Sequence, residues 1–154
     1  MRFFLPLALL LAAPALQAQD GVPSAEDDVR AVVTELFDAM RAADSSRVRA
    51  VFHADARLHT TMRQGEDTRL VEGSLANFLT AVGTPHDEMW DERVDEIVVH
   101  VDDGLATAWM DYAFYAGEQF SHCGVNAIQL VQTDDGWKML NLIDTRRREC
   151  EDTM

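Results

Sequence analysis

Acidic and imidazole side chains set among large apolar residues are natural places to look for proton chemistry, and this chain has two of them. Asp111 stands in Ala-Thr-Ala-Trp-Met-Asp-Tyr-Ala-Phe-Tyr. On period-two alternation it shares a strand face with Trp109 and Tyr115. A carboxylate in apolar surroundings has its pKa raised, which suits a general base or acid. An Asp111 on the outer face, hydrated or paired with an arginine, is the alternative. The second place combines His122, Asn126 and Asp144 at the polar end of an otherwise apolar hairpin. A histidine acts there only if a neighbour positions it; otherwise it is a rim or interface residue.

Other patterns exclude chemistry. The five histidines, His53, His59, His86, His100 and His122, show no HxH or HExxH spacing. Zinc needs three or four converging ligands, so no metal site is expected. No Gly-rich phosphate loop, Gly-x-Ser-x-Gly turn or nucleotide fingerprint is present, and no cofactor is expected. His59 shares a face with Arg57 and Arg63, which points to an exposed or dimer-facing position. Arg146-Arg147-Arg148 is the basic run of the chain. It either grips an anion or pairs with neighbouring carboxylates, each pair worth little. Trp90, Trp109 and Trp137 are pocket walls or core, with Trp137 assigned to the core.

The hairpin that carries the second cluster runs from Ser121 to Asp144. The runs Val125–Val131 and Trp137–Ile143 flank Asp134-Asp135-Gly136, a hairpin turn in which Gly136 can take the left-handed position. Pairing Thr133 with Trp137 sets the register. Ile128 then faces Leu142, Leu130 faces Leu140 and Asn126 faces Asp144, while Val131 meets Met139, Ala127 meets Ile143 and Gln129 meets Asn141. An apolar floor ending in a few polar groups suits a small-molecule pocket; a solvated sheet rim is the alternative.

The elements before the hairpin follow from spacing. Ser24-Ala-Glu-Asp27 has the form of a capping box, and Val29, Val32, Val33, Leu36, Phe37 and Met40 recur at helical intervals. Asp44-Ser45-Ser46 ends this helix and caps a shorter one through Val51-Phe52. Ala56–Met62 reads as a strand and Thr68–Glu72 as a brief extended piece. Ser74 caps a third helix carrying Leu75, Phe78, Leu79 and Val82, which Gly83-Thr84-Pro85 stops. Trp90–Val101 and Leu105–Tyr115 form a hairpin around Asp102-Asp103-Gly104. Glu118–Thr133 and Trp137–Arg147 complete the sheet. Helices segregated on one side of a curved antiparallel sheet make an α+β layer fold.

The start of the chain reads as a secretory signal peptide: Arg2, the apolar run Phe3–Ala13, then Ala-Leu-Gln-Ala. Cleavage is placed after Ala18, with Ala15 as the rival, and the apolar run is too short to span a bilayer comfortably. A short linker (19–26), one domain (27–148) and a tail (149–154) follow. The net charge of −14 disfavours nucleic acid and anionic lipid. Two cysteines, Cys123 and Cys150, remain. An oxidising compartment favours a bridge between them. In the register above Cys123 lies opposite Arg147, so the tail must curl back to bring the α-carbons within about 7 Å. A buried free Cys123 with a mobile Cys150 is the alternative.

The order of elements, with DVRAVVTELFDAMRAAD, VFHADARLHT, EGSLANFL and the ending DDGWKMLNLIDTRR, resembles the nuclear transport factor 2-like superfamily. That superfamily includes ketosteroid isomerases, SnoaL-like polyketide cyclases, scytalone dehydratase and many small exported proteins. The chain looks most like its exported lumazine-binding or SnoaL-like members. The resemblance covers Asp27 to about Arg148. It implies a cone-shaped, cystatin-like domain in which three N-terminal-half helices close over a concave sheet, leaving a pocket, and whose outer sheet face often dimerises. SnoaL-like cyclases use one acidic base, and Asp111 is the position offered for it. The isomerase set of an Asp base, a Tyr and a protonated Asp is not carried over. The first helix has Phe37 as its only aromatic, and the first strand reads His59-Thr60-Thr61 without an acid.

The sequence therefore predicts an exported, periplasmic or secreted domain that binds a small apolar or aromatic ligand and forms a homodimer through its sheet face. Trp109, Tyr115, Asn126, Asp144 and Phe37 are the expected pocket residues. An isomerase- or cyclase-type enzyme with Asp111 as base and His122 or Asn126 as partner is the alternative. A protein-interaction module using the sheet face is a third class.

Overall fold

A computed structural model describes residues 24–150. The expected signal peptide (1–18), residues 19–23 of the expected linker and residues 151–154 lie outside the described residues. Helix α1 spans Ala25–Arg41 and begins with the expected capping box: Ser24 Oγ accepts from the Asp27 amide, while the Asp27 carboxylate accepts from the Ser24 amide. Helix α2 (Ser45–Val51) is capped by Asp44, and α3 (Leu75–Gly83) by Ser74. Each cap satisfies amides that a helix start leaves without partners.

Seven strands form one sheet: β1 (Phe52–Gln64), β2 (Asp67–Gly73), β3 (Trp90–Val94), β4 (Val98–Asp102), β5 (Leu105–Ala116), β6 (Gln119–Thr133) and β7 (Gly136–Arg146). Their order is β2-β1-β7-β6-β5-β3, and β4 also pairs with β5. The sheet is mixed rather than antiparallel throughout, because β1 runs parallel to β7. Helix α2 feeds straight into β1, so the chain enters the sheet beside the last strand and in its direction.

The expected strand Trp90–Val101 is broken. Its two pieces, β3 and β4, pair with successive stretches of β5, and the Asp95 amide between them still donates to the Asp111 carbonyl at 3.0 Å. The β6–β7 hairpin keeps the predicted register at its open end, Asn126↔Asp144 to Gln129↔Asn141. Nearer the turn it differs by one residue. Leu130 pairs with Met139 and Thr133 with Gly136, which closes the turn at a φ of +90°. A bulge at Leu140 absorbs the difference. It lets Trp137 and Met139 on one side of the bulge, and Leu142 and Asp144 on the other, share the inner face.

The core lies between the helices and the concave face. Val29, Val33, Leu36, Phe37 and Met40 of α1 meet Ala106, Ala108 and Met110 of β5, Ile128 and Leu130 of β6, and Trp137 and Met139 of β7. Removing this apolar area from water is the main stabilising term, roughly 25 cal/mol per Å2. Asp91 clamps the last turn of α1 to β3: Arg41 Nε and Arg93 Nε each donate to it at 2.8 Å. Burial opposes its charge, but the two guanidinium bonds outweigh burial and hold its carboxyl below the usual range.

Candidate functional site

The helices close over one end of the concave face less completely than over the other, and a cavity of about 660 Å3 remains there. Leu36, Phe37 and Met40 of α1, Leu58 of β1, Phe78 and Ala81 of α3 and Leu142 of β7 form its apolar wall. Its far end is polar: Thr60 of β1, Glu92 of β3, Tyr112 of β5, Asn126 of β6, and Asp144 and Arg146 of β7. Each polar residue belongs to a different strand except the last two, so the sheet's register determines where they meet.

Asp144 is buried and fully engaged. Thr60 Oγ1 donates to Oδ1 at 2.5 Å, Tyr112 OH to Oδ2 at 3.1 Å, and Arg146 approaches Oδ2 at 3.4 Å. Tyr112 OH also lies 2.9 Å from the Thr145 carbonyl. Burial, followed by the charges of Asp144 and Glu92, raises the Tyr112 pKa well above its ordinary value, so its proton stays in place. The ring lies across Gly124, its cross-strand partner. A β-carbon there would meet the Tyr112 ring and the Thr145 carbonyl, so only glycine fits.

Glu92 is the group left with capacity to spare. Asn126 Nδ2 donates to Oε1 at 2.7 Å, while Oε2 has no hydrogen-bond donor among the described residues. The side chain is enclosed by protein but keeps part of its surface towards the cavity. Burial pushes its carboxyl up to about 7; the Asn126 bond pulls the other way and the Asp144 charge adds to the rise. A carboxyl titrating there is part-protonated at neutral pH. It can accept a proton, give one up, or anchor a ligand donor.

The residues expected from sequence divide between the two faces of the sheet. Phe37, Asn126 and Asp144 line the cavity. His122 lies on the same inner face beyond it, stacked on Phe114 at 5.0 Å, with Ser121 Oγ 3.0 Å from Nδ1. Burial, aided by Arg146, lowers its pKa to about 4, so the ring is neutral. Asp111, Trp109 and Tyr115 do share a face, but it is the outer one. Asp111 is exposed, Trp109 is 56 % exposed, and Tyr115 lies under Arg93 with 4.1 Å from Cζ to the ring centre. The assignment of Asp111 as a pocket base is therefore corrected: the even-numbered residues of β5, Ala106 to Phe114, point inward. Trp90 is also outside the cavity, stacked on His86 at 4.1 Å, whereas Trp137 is core.

Thr60, Glu92 and Tyr112 are site residues absent from the expected pocket set, although for Glu92 the signal existed. Glu92 lies between Trp90 and Val94 on period-two spacing, a lone acid on an apolar face. Cys123 and Cys150 are paired as a disulfide with α-carbons 6.3 Å apart, and Cys123 bridges to Arg147 as the register required. Among the described residues no group of three or more His, Cys, Asp or Glu is arranged to hold a metal ion.

The sequence profile of the family described as "Putative lumazine-binding" matches residues 24–143. The chain belongs to that family. It has the nuclear transport factor 2-like, cystatin-like fold, as the solved structures similar to it show. One, from Novosphingobium aromaticivorans, has a TM-score of 0.65 at 12% identity, covering 80% of this chain and 82% of that one. A protein of unknown function from Pseudomonas putida has a TM-score of 0.65 at 16% identity, covering 84% and 96%. A structure described as a "putative dehydratase" from Streptomyces avermitilis has a TM-score of 0.58 at 14% identity, covering 81% and 97%. No curated protein matches the sequence.

Proposed function

We propose that the chain is an exported small-ligand-binding domain that works as a homodimer, with the cavity between helices and sheet as its binding site. The observation that carries this reading is an apolar cavity of about 660 Å3 with Glu92 Oε2 open at its polar end. Apolar walls with few convergent polar groups are the usual make-up of a small-molecule site. The family description, lumazine-binding, is in keeping with a small ligand. Export is supported by the signal-like residues 1–18 and by a disulfide, which persists in oxidising compartments.

Dimerisation is supported by the outer sheet face. There Val98, Trp109 and Ile143 are exposed and border a groove of about 670 Å3. Light scattering of the purified protein is expected to give a dimer mass, and Trp109→Arg to give a monomer. A monomeric wild type sinks this part of the reading.

Native mass spectrometry of protein purified from its own host tests the ligand. A small-molecule adduct that is lost in Ala81→Trp, which fills the cavity, is expected. An adduct retained by that variant, or a bare chain from every growth condition, contradicts the reading.

One observation favours a second reading, an acid–base enzyme. Glu92, which lines the cavity, is a carboxyl whose affinity for protons is matched to neutral pH. A dehydratase-like or isomerase-like step would use it as the base, with Tyr112 and Asp144 fixing the floor of the site. A pure interaction module is disfavoured, because it would fill its cone with side chains.

A further inference from the structure

The polar end of the cavity has its protons already placed. Thr60 and Tyr112 donate to Asp144, and Tyr112 has the Thr145 carbonyl as its other acceptor. Asn126 donates to Glu92. What remains open at that end is Glu92 Oε2, an acceptor when ionised, beside donors left open on Arg146 and, towards α3, on Ser74 and Asn77. The charges lining the cavity are unbalanced in the same direction: Glu72, Glu92 and Asp144 against Arg146, which is 3.4 Å from Asp144.

We propose that the cavity selects a ligand with a protonated amine on an apolar body, and that Glu92 Oε2 is the atom that pairs with the amine. This inference rests on the reading of the cavity as the ligand site. A carboxylate ligand would face three carboxylates and one guanidinium already turned towards Asp144. A neutral carbonyl compound can use the open donors of Arg146, Ser74 and Asn77, or the proton of part-protonated Glu92, but it leaves the ionised Glu92 Oε2 without a donor. An ammonium group supplies the donors that Glu92 lacks. The pair forms where protein walls exclude much of the water, so the attraction is stronger than at a surface. Leu36, Phe37, Met40, Leu58 and Phe78 receive the apolar part.

Three nearly isosteric probes test the class: 1-naphthylmethylamine, 1-naphthylmethanol and 1-naphthoic acid, titrated calorimetrically into the purified protein at neutral pH and moderate salt. The amine is expected to bind at least tenfold tighter than the alcohol, and the acid more weakly than both. In Glu92→Gln the amine should fall to within about threefold of the alcohol, whose own affinity stays the same. That variant replaces one acid among the 27 of the chain. An amine preference that survives it therefore comes from the other acids of the cavity or the chain, and overturns the role given to Glu92. An alcohol or acid that equals the amine overturns the ligand class while leaving the cavity as a binding site. If no probe binds, the reading of the cavity itself fails. Ala81→Trp must weaken amine and alcohol alike; unchanged binding places them elsewhere and overturns the proposal.

Discussion

Replacing Glu92 by Gln should change how stability depends on pH, and the structure gives the size and sign. Glu92 titrates at about 7 in the folded chain against 4.5 when unfolded. At about 1.36 kcal/mol for each tenfold in proton affinity, this corresponds to about 3 kcal/mol. The folded state holds the proton more tightly, so the stabilisation is complete below pH 4.5 and is lost as pH rises through 7. His122 acts in the opposite sense. Its folded value is about 4 against 6.5. Its stabilisation is present above 6.5 and is lost as pH falls towards 4. The ring is partly exposed, so screening cuts its contribution to about 1–2 kcal/mol. The two slopes oppose one another between pH 4.5 and 6.5.

Asp27, Glu35, Asp44 and Asp91 all have lowered values, so their losses come as pH falls below the ordinary carboxylate range, outside this window. Urea unfolding at pH 5, 6.5 and 8 at fixed ionic strength should therefore show a shallow profile for the wild type. Glu92→Gln should gain about 0.5–1 kcal/mol between pH 5 and 6.5 and then level off. His122→Asn should lose about 2–3 kcal/mol from pH 5 to 8. If the Glu92→Gln profile runs parallel to the wild type at all three pH values, the enclosure of Glu92 is refuted.

Three further outcomes follow from the packing. Leu130→Ala, at a fully buried position under α1, should cost about 2–5 kcal/mol by urea denaturation, whereas a surface leucine such as Leu70 should change little. Cys150→Ser opens a link between residues 27 apart in sequence and should cost at most about 3.6 kcal/mol by loop entropy. A thermal scan with and without reductant should lower the wild type to the level of the variant and leave the variant unmoved. Gly124→Ala drives a β-carbon into the Thr145 backbone carbonyl and then the Tyr112 ring, so the strands must part and the cost should reach about 3 kcal/mol or more by urea denaturation; a cost under about 1 kcal/mol would mean that β7 does not pack against Gly124 as described.

The fold was legible because its signals are local. Ser24, Asp44 and Ser74 mark helix starts, the apolar spacing of α1 marks its buried stripe, and the Asp/Gly turns mark the hairpins. The parallel β1–β7 pairing was not legible, because no local pattern records which distant strands lie side by side. The bulge at Leu140 was hidden for a related reason: a strictly alternating reading sends Met139 and Leu142 to opposite faces, whereas both point inward. The misplacement of Asp111 is different in kind. Alternation groups it correctly with Trp109 and Tyr115, but two aromatics on a strand face do not by themselves bury that face. The even positions, Ala106, Ala108, Met110, Tyr112 and Phe114, are free of charge and polar only at the Tyr112 hydroxyl, and they are the inner face. The same test applied to Trp90-Asp91-Glu92-Arg93-Val94 would have singled out Glu92.

The candidate site stands or falls with a carboxyl enclosed at the polar end of an apolar cavity, and that carboxyl can be titrated on its own. Protein labelled with 13C at glutamate, with the Glu92 resonance assigned by its absence in Glu92→Gln, can be followed by NMR from pH 4 to 9. The carboxyl carbon is expected to titrate with a midpoint near 7. A midpoint near the ordinary 4.5 would place Glu92 in water and contradict the site described above.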